Sequence, residues 1–120
     1  MSEVQFLVLL TAPDHFARWE GLSSEERDDA MASFGSFAKA VQERGEIVAG
    51  DALYAPAAAR TVQMGPERVV TDGPFAETVE QLAGFYVIDV DSLETAVDLA
   101  RLLPRNTAVE VRPTRGVPIR

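Results

Sequence analysis

The sequence predicts a single α+β domain over residues 1–120, in which two helices cover one face of an antiparallel sheet. Three observations lead there. Short apolar segments of strand length lie at both ends and in the middle of the chain. Two amphipathic segments follow helix-start signals at Ser23 and Ser92. Clusters of Gly and Pro separate the segments, and no linker or long-period repeat divides them.

The first half of the chain predicts a strand, a loop and a long helix. Residues 4–11 form a nearly continuous apolar run, which is typical of a buried strand, and a loop through Trp19 and Gly21 follows. Ser23 and Glu26 have the spacing of a capping box, and Gly45 is a suitable helix end. The apolar side chains between them follow helical spacing: Ala30, Phe34, Phe37 and Val41.

The second half predicts mostly strands with one further helix. Ser92 can cap that helix, and Pro104 stops it. The predicted strands are residues 46–54, a hairpin of 60–64 and 68–71 that turns at Gly65-Pro66, residues 84–90 and residues 109–112. The resulting order, β-α-β-β-α-β with the third strand running as a hairpin, predicts a ferredoxin-like sandwich.

Two predicted strands are apolar on both of their alternating faces. These are residues 4–10 and 85–90, and within residues 6–10 odd and even positions are equally hydrophobic. Two helices cover only one face of a sheet, and the other would expose a large apolar patch. We therefore expect the open faces of two subunits to pack together in a homodimer, as in dimeric α+β barrels.

Composition and charge exclude several classes of function. The 120 residues carry a net charge of −8, which disfavours nucleic acid as a partner. No apolar run approaches the length of a membrane span, and the N-terminus lacks the basic region of a signal peptide, so we expect a cytoplasmic protein. With no Cys and one His, thiol chemistry and a multi-His metal site are excluded within one chain, and nothing indicates a cofactor.

The segment DGPFAET at residues 72–78 is the most unusual stretch of the chain. Asp72, Gly73 and Pro74 have turn chemistry, and Phe75 places an aromatic ring directly after the turn. Asp72 and Glu77 would suit acid–base work if they were held close and partly buried. The alternative is a rigid loop in which Asp72 caps backbone amides and Glu77 is solvated.

Other candidate residues lie outside that segment. His15 follows the first strand. It is a candidate general base or axial haem ligand, and the alternative is an ordinary surface loop residue. Trp19 would line a ligand pocket or pack before the helix cap. Tyr54, in a predicted strand, could bind a ligand or be an ordinary half-buried tyrosine. Arg60 and Arg112 could hold an anion, although ion pairing is the more ordinary use in so acidic a chain.

Residues 72–90, DGPFAETVEQLAGFYVIDV, resemble the signature of the YCII-related, DGPF-domain proteins. Further segments are similar to other parts of that family: Trp19 with LSSEER at 22–27 to its entry into the first helix, Phe34, Gly35 and Phe37 to its mid-helix segment, and residues 45–53 to its second strand. The resemblance implies a ferredoxin-like fold and a dimeric α+β barrel.

For activity, the resemblance implies less. The wider YCII superfamily has been proposed to hold enzymes that use a His–Asp pair in a cleft, and many DGPF-type relatives are encoded beside extracytoplasmic-function sigma factors. Asp72 matches the Asp of the signature, but Phe34 stands where the helix His would be. Val79 replaces a frequent Lys, and Ala83 replaces one Gly of the usual pair. The His–Asp mechanism is therefore not supported in this chain.

We expect a dimeric small-molecule-binding or regulatory domain with a cleft near the Asp72–Glu77 loop. Its expected contacts are Trp19, Phe34, Tyr54, Gly73, Pro74, Phe75 and Glu77. One alternative is an enzyme of lyase, isomerase or hydrolase type, with Asp72 as acid or base and His15 assisting. A second is a protein-interaction module linked to an extracytoplasmic-function sigma factor.

Overall fold

Six strands and three α-helices make up the structure, a computed structural model that describes residues 4–76 and 78–116. A short 3₁₀ turn, Pro56–Ala58, precedes the third strand. In chain order the elements are β1 (Val4–Pro13), α1 (His15–Glu20), α2 (Ser24–Arg44), β2 (Glu46–Ala52), β3 (Arg60–Val62), β4 (Val70–Asp72), β5 (Glu80–Val90), α3 (Leu93–Ala100) and β6 (Ala108–Pro113).

Four of the strands form an antiparallel sheet in the order β2-β5-β1-β6. The helix α2 connects β1 to the edge strand β2, which pairs with β5, and α3 connects β5 to the edge strand β6, which pairs with β1, as in a ferredoxin-like sandwich. The predicted α+β class is therefore confirmed for the described residues, as is an antiparallel sheet on which helices pack.

The core lies between the sheet and the two long helices. Alternate residues of β1 face the helices, and Phe6, Val8 and Leu10 are almost fully buried there. From α2, Phe37 and Val41 pack into the same cluster with no exposed surface. The remaining buried core residues come from β5, from α3 and from the turn after α3: Ile88, Val90, Ala96, Leu99, Ala100 and Leu103.

The predicted caps begin both long helices. The Ser23 hydroxyl accepts from the Glu26 N–H at 3.1 Å, and the Glu26 carboxylate accepts from the Ser23 N–H at 2.8 Å. Ser92 accepts from the Thr95 N–H at 3.1 Å and begins α3. Of the helices in the described ranges, none has the length and apolar composition that crossing a membrane requires.

The hairpin forms at the predicted place in the chain but is not part of the main sheet. β3 and β4 form a two-stranded sheet of their own, and β5, which starts at Glu80, is the third strand of the main sheet. The radius of gyration is 16.1 Å, against roughly 14 Å for a compact chain of this length. The helix α1 also replaces the loop expected before Gly21.

The second strand is shorter than predicted. β2 ends at Ala52, so Tyr54 lies beyond it with 90% of its surface exposed. A bulge between Ile47 and Ala49 shifts the pairing with β5 and turns Val48 outward.

Replacing Phe37 with Ala is expected to lower the free energy of unfolding by about 3–5 kcal/mol, because a fully buried ring is removed from the core. Phe75, 90% exposed, provides the matched control, and Phe75→Ala should change stability by less than about 0.5 kcal/mol. Urea unfolding followed by circular dichroism measures both. Equal losses in the two variants would contradict the assignment of the core.

Candidate functional site

An apolar pocket of about 520 Å³ lies between α1, α2 and the end of the sheet where β2 pairs with β5. Most of its lining is hydrophobic or aromatic, which is typical of small-molecule sites. Its lining residues are Leu10, His15, Phe16, Trp19, Met31, Phe34, Gly50, Asp51, Ala52, Leu53, Ala83, Gly84, Phe85, Tyr86 and Thr107.

One side of this pocket is held by α1, whose position depends on contacts from distant parts of the chain. Asp14, before the helix, adopts a left-handed conformation with φ of 49° and donates its N–H to the Val79 carbonyl at 2.9 Å. The Phe16 N–H donates to the Gln81 side chain at 3.3 Å. Both bonds tie the start of α1 to the chain at and just before the beginning of β5, and so bring His15 to the pocket.

Arg27 fixes the other end of α1. From the second turn of α2, its guanidinium donates to the Trp19 carbonyl at 3.0 and 3.3 Å and to the Glu20 carbonyl at 3.1 Å. Both carbonyls belong to the last turn of α1, and the Trp19 carbonyl also accepts from the Leu22 N–H at 3.1 Å. The Arg27 Cζ also lies 5.7 Å from the centre of the Trp19 ring, within cation–π range. Arg27 therefore orients the indole in the pocket.

Three aromatic side chains of α1 form a cluster at the pocket. The His15 ring contacts Phe16 edge to face at 4.9 Å between centroids and stacks on Trp19 at 6.3 Å. Partial burial lowers the pKa of His15 below its usual range, and the nearby Arg18 charge lowers it further. The imidazole is therefore neutral at pH 7, with one nitrogen to donate and one to accept a hydrogen bond.

The floor of the pocket depends on a glycine. Gly50 pairs with Tyr86 across β2 and β5, and a Cβ at Gly50 would lie 2.5 Å from the Tyr86 ring. The missing side chain lets the phenol ring lie across the strand, where it contacts Phe37 at 4.8 Å between centroids. Burial raises the pKa of Tyr86, so its hydroxyl stays protonated and able to donate.

Three of the sequence-predicted residues meet in this pocket: His15, Trp19 and Phe34. Tyr54 and Phe75 do not line it, and each is 90% exposed. Within one chain, the pocket therefore contains the three candidates that precede β2, and Tyr54 and Phe75 lie outside it.

The Asp72 loop also lies outside the pocket lining. The Asp72 side chain is 91% exposed, and Arg60 Nε lies 3.2 Å from its carboxylate. Gly73 has a φ of 93°, which favours glycine, and its carbonyl accepts from the Thr61 hydroxyl at 2.7 Å. Pro74 is half-buried, and Glu77 lies outside the described residues. A catalytic role for Asp72 stays a prediction.

Both arginines that were candidates for anion binding form ion pairs instead. Arg60 pairs with Asp72, and Arg112 pairs with Glu110. A second cleft, of about 340 Å³, lies between α3 and β6 and contains none of the predicted site residues.

Some pocket residues were not predicted as site residues. Phe16 follows His15 directly, but a loop was expected there, so no helical spacing joined Phe16 to Trp19. Met31 lies beside the apolar stripe of α2 and is 59% exposed in the structure, and helical spacing alone did not indicate that it lines a pocket. The pocket floor depends on the pairing of Gly50 with Tyr86. That pairing follows from the register of β2 and β5, which the sequence alone does not give.

The pocket can bind a small molecule between aromatic rings and offer it few polar contacts. Trp19, Phe34 and Tyr86 supply flat apolar surface, and His15 supplies hydrogen bonding without charge. Asp51 is the one acidic lining residue among those described, and its carboxylate accepts from the N–H of Ala52 at 2.9 Å.

Comparison with known proteins gives a match over nearly the whole chain. The YCII-related domain family matches residues 5–115. A protein of Rhizobium meliloti (strain 1021), named uncharacterized protein R00369, is 41% identical over 96 residues, which cover 76% of this chain and 77% of that protein.

The titration of His15 is a direct test of its position. Because its pKa is lowered on folding, the unfolded chain binds the proton more tightly, so His15 costs stability as the pH falls through about 6.5. We expect a titration midpoint below that value in NMR spectra, where the chain's one His gives a single imidazole signal. The wild type should also lose more stability between pH 7.5 and 5 than His15→Gln, and an ordinary midpoint would contradict the burial.

Proposed function

The chain belongs to the family of YCII-related domain proteins, and we propose that it is a small-molecule-binding domain built on that family's fold. The ligand occupies the pocket between α1, α2 and the β2–β5 end of the sheet. The observation that carries the proposal is the convergence of His15, Trp19, Phe34 and Tyr86 on one apolar cavity.

The lining favours a neutral, planar aromatic ligand. Neither Lys nor Arg lines the pocket among the described residues, and the chain has a net charge of −8, so an anion meets no counter-charge. A cation would lose its hydration in an apolar site, and the Arg27 guanidinium already lies against the Trp19 ring. A neutral ring with one hydroxyl matches the stacking surfaces and the hydrogen-bonding side chains His15 and Tyr86.

Two aromatic probes with the same ring system test this ligand class. At pH 7, 1-naphthol is neutral and 1-naphthoate is an anion. We expect 1-naphthol to shift the NMR signal of the Trp19 indole N–H, which is the chain's single indole, in a saturable way. The naphthoate should bind at least about tenfold more weakly, since 1.4 kcal/mol of lost attraction is enough for that factor.

Two matched variants locate the binding. Phe34→Asp puts a charge into the pocket wall and should abolish saturable binding of 1-naphthol, whereas Phe75→Asp makes the same change on an exposed residue and should leave it intact. Tighter binding of the naphthoate, or of the cation 1-naphthylmethylammonium, would overturn the ligand class. Binding that survives in Phe34→Asp would overturn the site.

We further propose that the protein works as a homodimer through the open face of its sheet. The register pairs Leu7 with Val87 and Leu9 with Phe85 on the face opposite the helices, and all four side chains are only half-buried in one chain. A contiguous apolar patch at the centre of a sheet favours a partner surface of the same kind.

Light scattering at micromolar concentration tests the dimer, and we expect about twice the 13.0 kDa chain mass. Val87→Asp places a charge in the centre of the open face and should give a folded monomer. Leu93→Asp makes the same kind of change on α3, which lies on the other side of the sheet, and this control should remain dimeric. A monomeric wild type would contradict the proposal.

The enzyme and protein-interaction alternatives have less support in the structure. The enzyme alternative needs Asp72 beside a partner group, and its carboxylate is exposed and paired with Arg60. A link to an extracytoplasmic-function sigma factor stays a prediction from the family resemblance. A cytoplasmic location is likewise proposed from the sequence.

A further inference from the structure

The β3–β4 hairpin, called the arm from here on, has one apolar and one polar face. Val62 and Val70 are paired across its two strands, and they are 51% and 59% exposed. On the opposite face, the Gln63 side chain donates to the Thr71 hydroxyl at 2.9 Å. The arm therefore presents a cross-strand valine pair to its surroundings on one side only.

The arm lacks the packing that a two-stranded sheet needs. An isolated two-stranded hairpin is at best marginally stable in water, and it normally requires a further strand or a helix against its apolar face. Among the described residues, no helix and no strand of the main sheet packs extensively on β3 or β4. At its base the Gly73 N–H donates to the Ala59 carbonyl at 2.8 Å, but within the described residues both valines keep more than half of their surface exposed.

We propose that the apolar face of the arm packs against a second copy of this chain, so that the arm is part of the dimer interface. The inference rests on the proposed homodimer and adds the element that stabilises it. In a two-fold dimer each chain has one arm and one open sheet face, and both are covered reciprocally.

Surface area is the first argument for a second copy. The four strands of the sheet have six to eleven residues, and the spacings of strands and residues give its face a planar area of roughly 550 Å². A stable interface buries about 800 Å² on each partner. A contact that also covers the arm therefore buries more area than the open sheet face supplies, and the added area includes the apolar pair Val62 and Val70.

Position is the second argument. The chain leaves the sheet toward the arm at Leu53, whose N–H donates to the Ala83 carbonyl at 2.8 Å. It returns at Val79, whose carbonyl accepts from the Asp14 N–H at 2.9 Å. Both anchors lie at the end of β5 where Leu82 belongs to the open face and is 41% exposed. The arm thus starts at the margin of the surface proposed to bind the second copy.

Charge is the third argument. Two copies with a net charge of −8 each repel one another, so a contact surface that carries no net charge adds least to that repulsion. The valine face of the arm meets that condition, because Arg60 and Asp72, the other pair on this face, neutralise each other at 3.2 Å.

Adjacent valines on the two faces of β4 give a matched test. Val70 lies on the apolar face, and Val69, 54% exposed, precedes it and is directed to the polar face opposite Gln63. We expect Val70→Asp to raise the dimer dissociation constant at least about tenfold in sedimentation equilibrium, and Val69→Asp to change it by less than about threefold.

The outcomes separate the two proposals. If the wild type is monomeric, the dimer and the role of the arm both fail. If the wild type is dimeric and Val70→Asp associates as tightly as Val69→Asp, the open-face dimer stands and the role of the arm is overturned. If both variants weaken the dimer equally, the proposal that the arm binds through its apolar face is overturned.

A spin label gives a reading that does not depend on how a charged variant folds. The chain contains no Cys, so Val70→Cys and Val69→Cys each carry a single label. In the dimer, the label at 70 should be immobilised in the electron paramagnetic resonance spectrum and become mobile on dilution to the monomer. The label at 69 should be mobile at both concentrations, and a mobile label at 70 in the dimer would overturn the proposal.

Discussion

The pairing of β1 with β5 constrains the rest of this structure, because both faces of these central strands are hydrophobic. Along β1, Phe6 and Val8 face the helices and are almost fully buried, while Leu7 and Leu9 between them face the other way and are half-buried. The helices α2 and α3 can cover only one side. The register with β5 then places Val87 next to Leu7, so that the uncovered apolar side chains form a continuous patch.

Local signals were enough to predict the main elements. The capping box of Ser23 and Glu26 starts a helix wherever it is followed by an apolar stripe, and both conditions are met within a few residues. The helix α1 escaped prediction because its support is distant. Asp14 makes no side-chain cap there, and the helix is held by Gln81 and Arg27, which lie far away or on the next helix.

The position of the hairpin was not predictable for a related reason. β3 and β4 have three residues each, which is too short for alternation to indicate which sheet they join. The turn chemistry of the sequence correctly placed a hairpin, but strand partners depend on contacts between remote segments. β5 reaches back to Glu80 because Pro13, Ala12 and Thr11 of β1 pair with it, which no property of residues 80–83 alone indicates.

The pocket could be predicted only in part because its residues come from five helices and strands. His15 and Trp19 were candidates by residue type, yet their approach to Phe34 requires α1 to fold back on α2. The contribution of Tyr86 requires that the residue opposite it, Gly50, has no side chain. Such conditions belong to the register of the sheet, not to a local motif.

The residues of the Asp72 loop have a structural explanation that does not require chemistry. Gly73 takes a positive φ, its carbonyl accepts from Thr61, and Asp72 forms the ion pair that closes the base of the hairpin. A signature sequence can therefore specify the shape of a connection as well as a reaction. At the other position of the expected His–Asp pair, Phe34 adds a ring to the pocket wall and no proton donor. The chain's one imidazole, His15, packs against Phe16 and Trp19, so its ring is part of the aromatic lining of the pocket.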